Sequence, residues 1–507
     1  MFAYCCFSFG KEKSRREYGD FPFPVATLLL PCYNDKKSTE AVNMKSTTAA
    51  AQKEGRQLEK LKKVQQRGSS GKYFLVLIML IALVNILDEV TSNLTVTVQS
   101  SFVTEFFVNN PFMGKYYSYE DGLAFHSTIG VVTYVFGLFT PFYKALADKW
   151  GRKPLFVMST LGMATGLFVI HLSTSYVMFL VGFAIISFFM GHDIQIIYIL
   201  EEAPDKHRAK IYSFLKSFGI LGVILIPTLR DMLMGDDATK WREIFLVPAL
   251  LGFVAVALVL FLAKDTKVFV RERIEYLSRP LEERQAEKAL KKQHKEAQRN
   301  QASVFNGVKY IFANKDTKRL IISHIIFDSA MPAIALYFES TMHTAGMSTG
   351  SITKALFMVP VIYASITFLS GFIADKLGRK VTVTGFSVTC VVGYCLFVAG
   401  VLLGWNPYLI GSFAGLYQGS YWIGRDYMNV MMTEKVPTDI RASVVGAEGL
   451  LVIIGLVVGY GAIIAGIALI PIWWACLAIS IPAVSVAAVM FAKGVKETKG
   501  ANLDTIE

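Results

Sequence analysis

From residue 73 almost to the end of the 507-residue chain, runs of about 20 apolar residues follow one another, each closed by charge or by Gly and Pro. Barrel strands would alternate apolar and polar positions. These runs do not alternate, so they predict helices whose backbone groups are satisfied within the segment. Twelve spans are predicted, near 73–97, 123–146, 154–173, 176–200, 209–231, 243–263, 319–342, 352–374, 381–404, 407–433, 442–466 and 470–492. The expected fold class is an all-α membrane protein with 12 transmembrane helices in two six-helix pseudo-repeats.

Charge orients this pattern. Lys and Arg concentrate in the N-terminal tail, in 147–153, 201–210, 264–318 and 375–380, and at the C-terminus. The connections on the other side, 101–122, 173–175 and 404–406, carry few cations, so both termini are expected in the cytoplasm. The net charge of +12 is thereby accounted for by orientation, and no nucleic-acid partner is expected. A hydrophobic content of 53% fits a polytopic membrane protein rather than a soluble domain. The six Cys are scattered without metal-ligand spacing, and no nucleophile–base set appears. Neither a metal, a cofactor nor an enzyme activity is expected. The organisation reads as a tail (1–71), one half (72–263), a charged linker (264–318), a second half (319–493) and a short tail (494–507). Met44 opens a plausible polar start, so residues 1–43 are either a tail or precede the true start.

The halves repeat one another. Gly191, Asp193, Glu201, Pro204 and Arg208 return in register as Gly424, Asp426, Glu434, Pro437 and Arg441, so that Glu434 stands 233 positions after Glu201. Asp148, Gly151 and Arg152 return as Asp375, Gly378 and Arg379, and Lys264-Asp-Thr-Lys267 as Lys496-Glu-Thr-Lys499. Duplicated six-helix halves are a transporter architecture, with a site between halves that rock.

At these residues the chain resembles the major facilitator superfamily. Gly371 to Lys380 matches that family's Gly-x-x-x-Asp-(Arg/Lys)-x-Gly-(Arg/Lys)-(Arg/Lys) loop in full, while the first copy has Lys144 at the leading Gly. The resemblance implies that Asp148 and Asp375 face helix N-termini across the seam between the halves, with Arg152 and Arg379 in the associated charge network, latching a cytoplasmic gate. Glu201 to Arg208, Glu434 to Arg441, and Glu497-Thr-Lys-Gly500 are similar to the sugar porter branch. That branch's hexose contacts in helix 7 are absent, and its helix 4 arginine falls at Val181. The fold resemblance spans 73–507; the sugar is not inherited.

In such a fold, helices 1, 4, 7 and 10 would line the cavity, and each carries acid here. Helix 1 has Asp88 and Glu89, helix 4 has His192 and Asp193, helix 7 has His324 and Asp328, and helix 10 has Arg425 and Asp426. A charge facing hydrocarbon costs about 2.5–3.5 kcal/mol on insertion scales, so these groups should face inward and one another. At 1.5 Å per residue, Asp193 and Asp426 lie about 12 Å from Glu201 and Glu434. With Lys216, Asp328, Arg425 and Glu448 they form a layer that is either an ion-paired inner gate or part of the substrate and proton path.

On helix 10, Tyr417, Tyr421, Arg425 and Asn429 stack at i+4 beside Gln418, Trp422 and Asp426, a wall for a ligand with polar edges and an apolar plane. On helix 1, Asn85, Asp88, Ser92 and Thr95 share a stripe that Glu89 also borders, and spacing does not choose between the two acids as proton carrier. On helix 7, His324, Asp328 and Glu339 are expected on one face. The expected function is proton-coupled import of a small polar metabolite by a monomer in the bilayer, in a bacterial inner membrane. A drug exporter of the same fold is the alternative, and a non-transporting nutrient sensor a more distant one.

Overall fold

The computed structural model describes residues 55–59, 61–62, 71–133, 150–189, 198, 201–202, 208–280, 283–284, 304–437 and 440–498. The chain divides into two compact units, 1–59 and 60–507. The first is described only by a helical turn at 55–59, and the long apolar helices all belong to the second. Asp148, His192 and Asp193, and the side chains of Arg208, Lys216 and Arg441, lie outside the described residues, as does Met44.

Among the described residues everything regular is helical apart from one isolated bridge, Phe112–Lys115. The long helices are α1 (Gly71–Leu94), α2 (Tyr119–Thr133), α3 (Arg152–His171), α4 (Tyr176–Phe189), α5 (Arg208–Gly222), α6 (Glu243–Leu262), α7 (Lys315–Asp328), α8 (Thr349–Leu377), α9 (Arg379–Leu402), α10 (Pro407–Glu434), α11 (Arg441–Ile467) and α12 (Ile472–Gly494). Eight helical stretches among the described residues are long and apolar enough to cross a bilayer. Exposed Leu75, Met79, Phe261, Phe372 and Val458 lie on them, as expected of side chains that face hydrocarbon. The stretches meeting this test do not include α7 or α10, where polar side chains break the apolar run. At 28 residues, α10 is nevertheless about 42 Å long. It starts where Asn406 accepts from Tyr408 N–H at 3.0 Å, with Pro407 in the first turn, and it contains no internal proline.

Packing sorts the helices. α3 packs on α4 and α6, and α1 on α5 and α6. α10 packs between α8 and α9, while α7 packs on α11 and α12. Between these two groups α5 meets α8 and α2 meets α11. Glycines make the closest approaches: a Cβ on Gly411 would stand 1.9 Å from the Ala355 carbonyl oxygen, and one on Gly455 2.0 Å from that of Ile325.

Two segments depart from expectation. The first span does not end at 97 but runs on through Val96–Val98, Gln99–Val103 and Thr104–Asn109. Its polar run tolerates burial because the buried Thr91 and Thr97 donate to the carbonyls of Leu87 and Leu94. The seventh span is not one helix. It stops at Asp328, resumes as Met331–Ala335 and again as Phe338–Thr344. Pro332 lacks the N–H that the Asp328 carbonyl would accept, and its ring clashes with that carbonyl. The ends of the linker are also structured: Lys267–Ser278 buries Phe269 and Val270, and Val304–Ala313 packs Gly307 against the Ser443 carbonyl.

Candidate functional site

Three helices bring their charges together. His324 and Asp328 are one turn apart on α7, Tyr421 and Arg425 one turn apart on α10, and Glu448 sits on α11. The Arg425 Nε donates to both oxygens of Asp328 at 3.0 Å, and the Tyr421 hydroxyl donates to Oδ1 at 2.9 Å. His324 lies between two acids, with Nδ1 3.1 Å from Glu448 Oε1 and Nε2 3.8 Å from Asp328 Oδ1. His324, Asp328 and Glu448 are buried, whereas Arg425 keeps 30% of its side chain exposed. The ring of Phe327 stacks on Tyr421 at 4.9 Å and 3°, and it can do so because Gly424 leaves room.

The network opens on a cavity of about 210 Å³. Asp328, Arg425, Asn429 and Glu448 form its polar wall; Trp422, with Val452, Ile453 and Leu456, forms its apolar one. The Arg425 guanidinium carbon lies 5.4 Å from the Trp422 ring centre, within cation–π range.

Of the other candidates on α10, Gln418 is buried and its amide nitrogen has no hydrogen-bond partner among the described residues. Tyr421 does not line the cavity but steadies Asp328 from behind. Asp426 is exposed and points elsewhere: it and Glu89 are both electrostatic neighbours of Tyr363 on α8. On α1, Asn85 and Glu89 pack against Gly219 of α5, at 3.5 and 3.4 Å from the position of its Cβ. Asp88 is half-buried one position away. The expected acid layer thus divides, with Asp328 and Glu448 at the cavity and Asp426 beside α8, near Glu89 of α1.

Glu339 does not share a face with His324 and Asp328. The breaks after Asp328 and Ala335 turn it away, and its fully buried carboxylate accepts from Ser100 Oγ at 2.5 Å and Ser100 N–H at 2.9 Å. Arg230, also buried, donates to the Thr97 carbonyl and to Thr353 Oγ1, close enough for its charge to act on Glu339. Ser340 donates to Gln99, and Tyr337 to Ser127. The helices of the two groups are thereby stitched together at one end. Arg230 escaped notice in the sequence, although a lone Arg in an apolar run is a signal in itself.

At the other end the same contacts occur twice. Arg152 pairs with Glu201 at 2.8 Å, and Thr266 donates to that Glu. Arg379 pairs with Glu434 at 3.5 Å, and Thr498 donates to that one. The N-terminus of α3 is held by Asp265, which accepts from Lys153 N–H at 2.9 Å; that of α9 is held by Glu497, which accepts from Arg379 and Lys380 N–H at 2.9 Å. Burial raises the Asp265 carboxyl above its ordinary range, against the pull of the N–H groups of Lys153 and Arg152. Asp375 is 83% exposed and, among the described residues, reaches Arg379 at 3.5 Å.

Gly151 and Gly378 precede these helices at φ of +104° and +99°, and a Cβ would stand 2.6 Å from Asp265 and 2.5 Å from Glu497. Gly151→Ala and Gly378→Ala are each expected to lose about 1–3 kcal/mol, read as a lower melting temperature of the purified protein. Gly371→Ala, where a Cβ meets nothing within 4 Å, serves as the neutral control. The leading Gly of the loop motif therefore marks no close approach here.

The family model described as Major Facilitator Superfamily matches residues 78–460. The cis,cis-muconate transport protein of Acinetobacter baylyi is 26% identical over 322 residues, covering 59% of this chain and 68% of that protein. The glucose transporter GlcP of Staphylococcus epidermidis is 22% identical over 385 residues, covering 71% and 83%. Among solved structures, the xylose transporter XylE from E. coli in an inward open conformation superposes with a TM-score of 0.56 at 16% identity, covering 86% of this chain and 99% of that one. At that identity the likeness concerns the fold.

Proposed function

The chain belongs to the major facilitator superfamily, and from that membership we propose that it imports a small polar metabolite by alternating access, coupled to protons. The carrying observation is the buried Glu448–His324–Asp328–Arg425 network opening on a cavity. Buried charge of this kind costs stability unless it is used or tightly paired, and here one member, Arg425, faces the cavity. In this reading the 12 spans form two six-helix halves with both termini cytoplasmic, in accord with the Lys/Arg-rich loops. The substrates for which these relatives are named, a muconate and a glucose, fit the class of small polar metabolites. The setting is a bacterial plasma membrane and the working unit a monomer.

Glu89 is the coupling carboxylate in this proposal, with Asp88 beside it as the alternative. Glu89 sits where α1, α5 and α8 converge, at a contact between the two helix groups. Rocking there changes its neighbours, and a carboxylate whose neighbours come and go changes its proton affinity. Purified protein in liposomes under an imposed pH gradient, offered sugars, amines and organic acids, tests the reading. Glu89→Gln is expected to abolish uphill accumulation while exchange of internal for external substrate persists. Normal accumulation by both Glu89→Gln and Asp88→Asn would remove α1 from the coupling path; a pH gradient that drives uptake of none of the compounds would sink coupled import itself.

A further inference from the structure

We infer that the substrate bound at this cavity is a small carboxylate anion with a planar or apolar body, held by the terminal nitrogens of Arg425. The inference rests on the transport reading above and specifies its substrate class.

Arg425 is the one cation among the described residues that line the cavity, and most of its donors are unspent. Asp328 accepts from Arg425 Nε and from Tyr421, and Glu448 faces His324 at 3.1 Å. Arg425 spends only its Nε: among the described residues no hydrogen bond falls on its Nη1 or Nη2, and the side chain lines the cavity. A guanidinium offers five donors in a rigid planar fork, and the pair it leaves open here is the edge that matches the two oxygens of a carboxylate. Asp328, gripping the opposite edge, fixes the plane of the fork before a ligand arrives. That preorganisation reduces what binding must spend on ordering the side chain.

The remainder of the cavity describes the rest of the ligand. Trp422 stacks beside the guanidinium, and Val452, Ile453 and Leu456 close the far wall, so the body attached to the carboxylate is apolar. Asn429 adds one neutral polar group. A hexose would instead require hydrogen-bonding partners around its whole rim, and this wall is half aliphatic. A volume of about 210 Å³ lies below the range of about 300–1,000 Å³ usual for drug-sized ligands. A cationic ligand would find both oxygens of Asp328 taken by Arg425 and Tyr421, and one oxygen of Glu448 facing His324.

The full chain in detergent, and then in liposomes, is tested with benzoate, hexanoate, benzamide, benzylamine and glucose, by thermal stabilisation and by uptake. Benzoate and hexanoate are expected to raise the melting temperature; benzamide, the same shape without charge, is not. Arg425→Lys keeps a cation beside Asp328 but loses the fork, and is expected to weaken carboxylate binding at least tenfold while the unliganded protein still melts cooperatively. Arg425→Gln is expected to abolish that binding. Stabilisation by benzamide equal to that by benzoate, unchanged carboxylate binding in Arg425→Lys, or binding and uptake of glucose or benzylamine alone would each overturn the inference. Glucose or benzylamine uptake would still leave the transporter reading standing. No binding by either carboxylate overturns the substrate class as well.

Discussion

Asp328→Asn is expected to lower transport at least 100-fold. Among the described residues Asp328 is the one side chain bonded to both Arg425 and Tyr421, and it also lies 3.8 Å from His324. Removing one partner of a buried ion pair costs about 3–5 kcal/mol, because the other charge stays behind without compensation. Arg425 then has three courses: swing into the cavity, recruit Glu448, or lose its fixed plane. Each destroys the binding geometry. The double variant Asp328→Asn with Arg425→Gln removes both charges and is expected to recover most of the lost stability without recovering transport. That contrast separates loss of function from loss of fold. Initial uptake rates alongside melting temperatures of the two variants measure it; an Asp328→Asn protein that transports at the wild-type rate would remove the network from the mechanism.

Glu339→Gln is expected to loosen the seal at the opposite end of the molecule. Glu339 and Thr353 come from one group of helices, Ser100, Thr97 and Arg230 from the other, and all five are buried. Hydrogen bonds to a charged group contribute about 1.5–3 kcal/mol, so weakening them shifts the ratio of closed to open forms by about 10- to 150-fold. The substitution also leaves Arg230 without its neighbouring negative charge. The readout is a cysteine placed at Ser127, whose hydroxyl accepts from Tyr337 across the same seam. Its rate of reaction with a membrane-impermeant thiol reagent should rise by a similar factor in Glu339→Gln, compared in a background without the native cysteines. An unchanged rate would mean that the seam is held by packing alone.

These two expectations differ in how they could have been foreseen. Asp328 and Arg425 stood out in the sequence because ionisable groups inside apolar runs cannot face lipid. Glu339 was visible for the same reason but was assigned to the wrong neighbours. A continuous helix would have put it in line with His324 and Asp328, and only the breaks at Ser329–Ala330 and Leu336–Tyr337 turn it toward Ser100. Pro332 is legible as a breaker, yet the direction in which the chain resumes depends on what the next segment packs against. Ser100 carried no signal at all, since a serine beyond an apolar run looks like loop. Its burial follows from helical structure continuing to Asn109.

The duplicated contacts show the converse. Arg152 with Glu201, and Arg379 with Glu434, were marked as a set by their repetition, and each pair is in contact. The acids that hold the N-termini of α3 and α9 are Asp265 and Glu497. Those two were recognised as repeated but not as caps, because more than 110 positions separate Asp265 from Lys153.

What the sequence by itself determined is the solvent and the inventory: apolar runs that must be helices in a bilayer, an internal duplication, and a short roster of charges that had to find partners. These follow from local composition and from the cost of charge in hydrocarbon, which act residue by residue. Tertiary structure alone decided which charges pair. Helical periodicity gives a side chain its face and depth, but the rotation and crossing of each helix are set by contacts such as Gly424 on Phe327 and Gly455 on the Ile325 carbonyl. Those contacts turn Arg425 toward Asp328 and leave its terminal nitrogens facing the cavity.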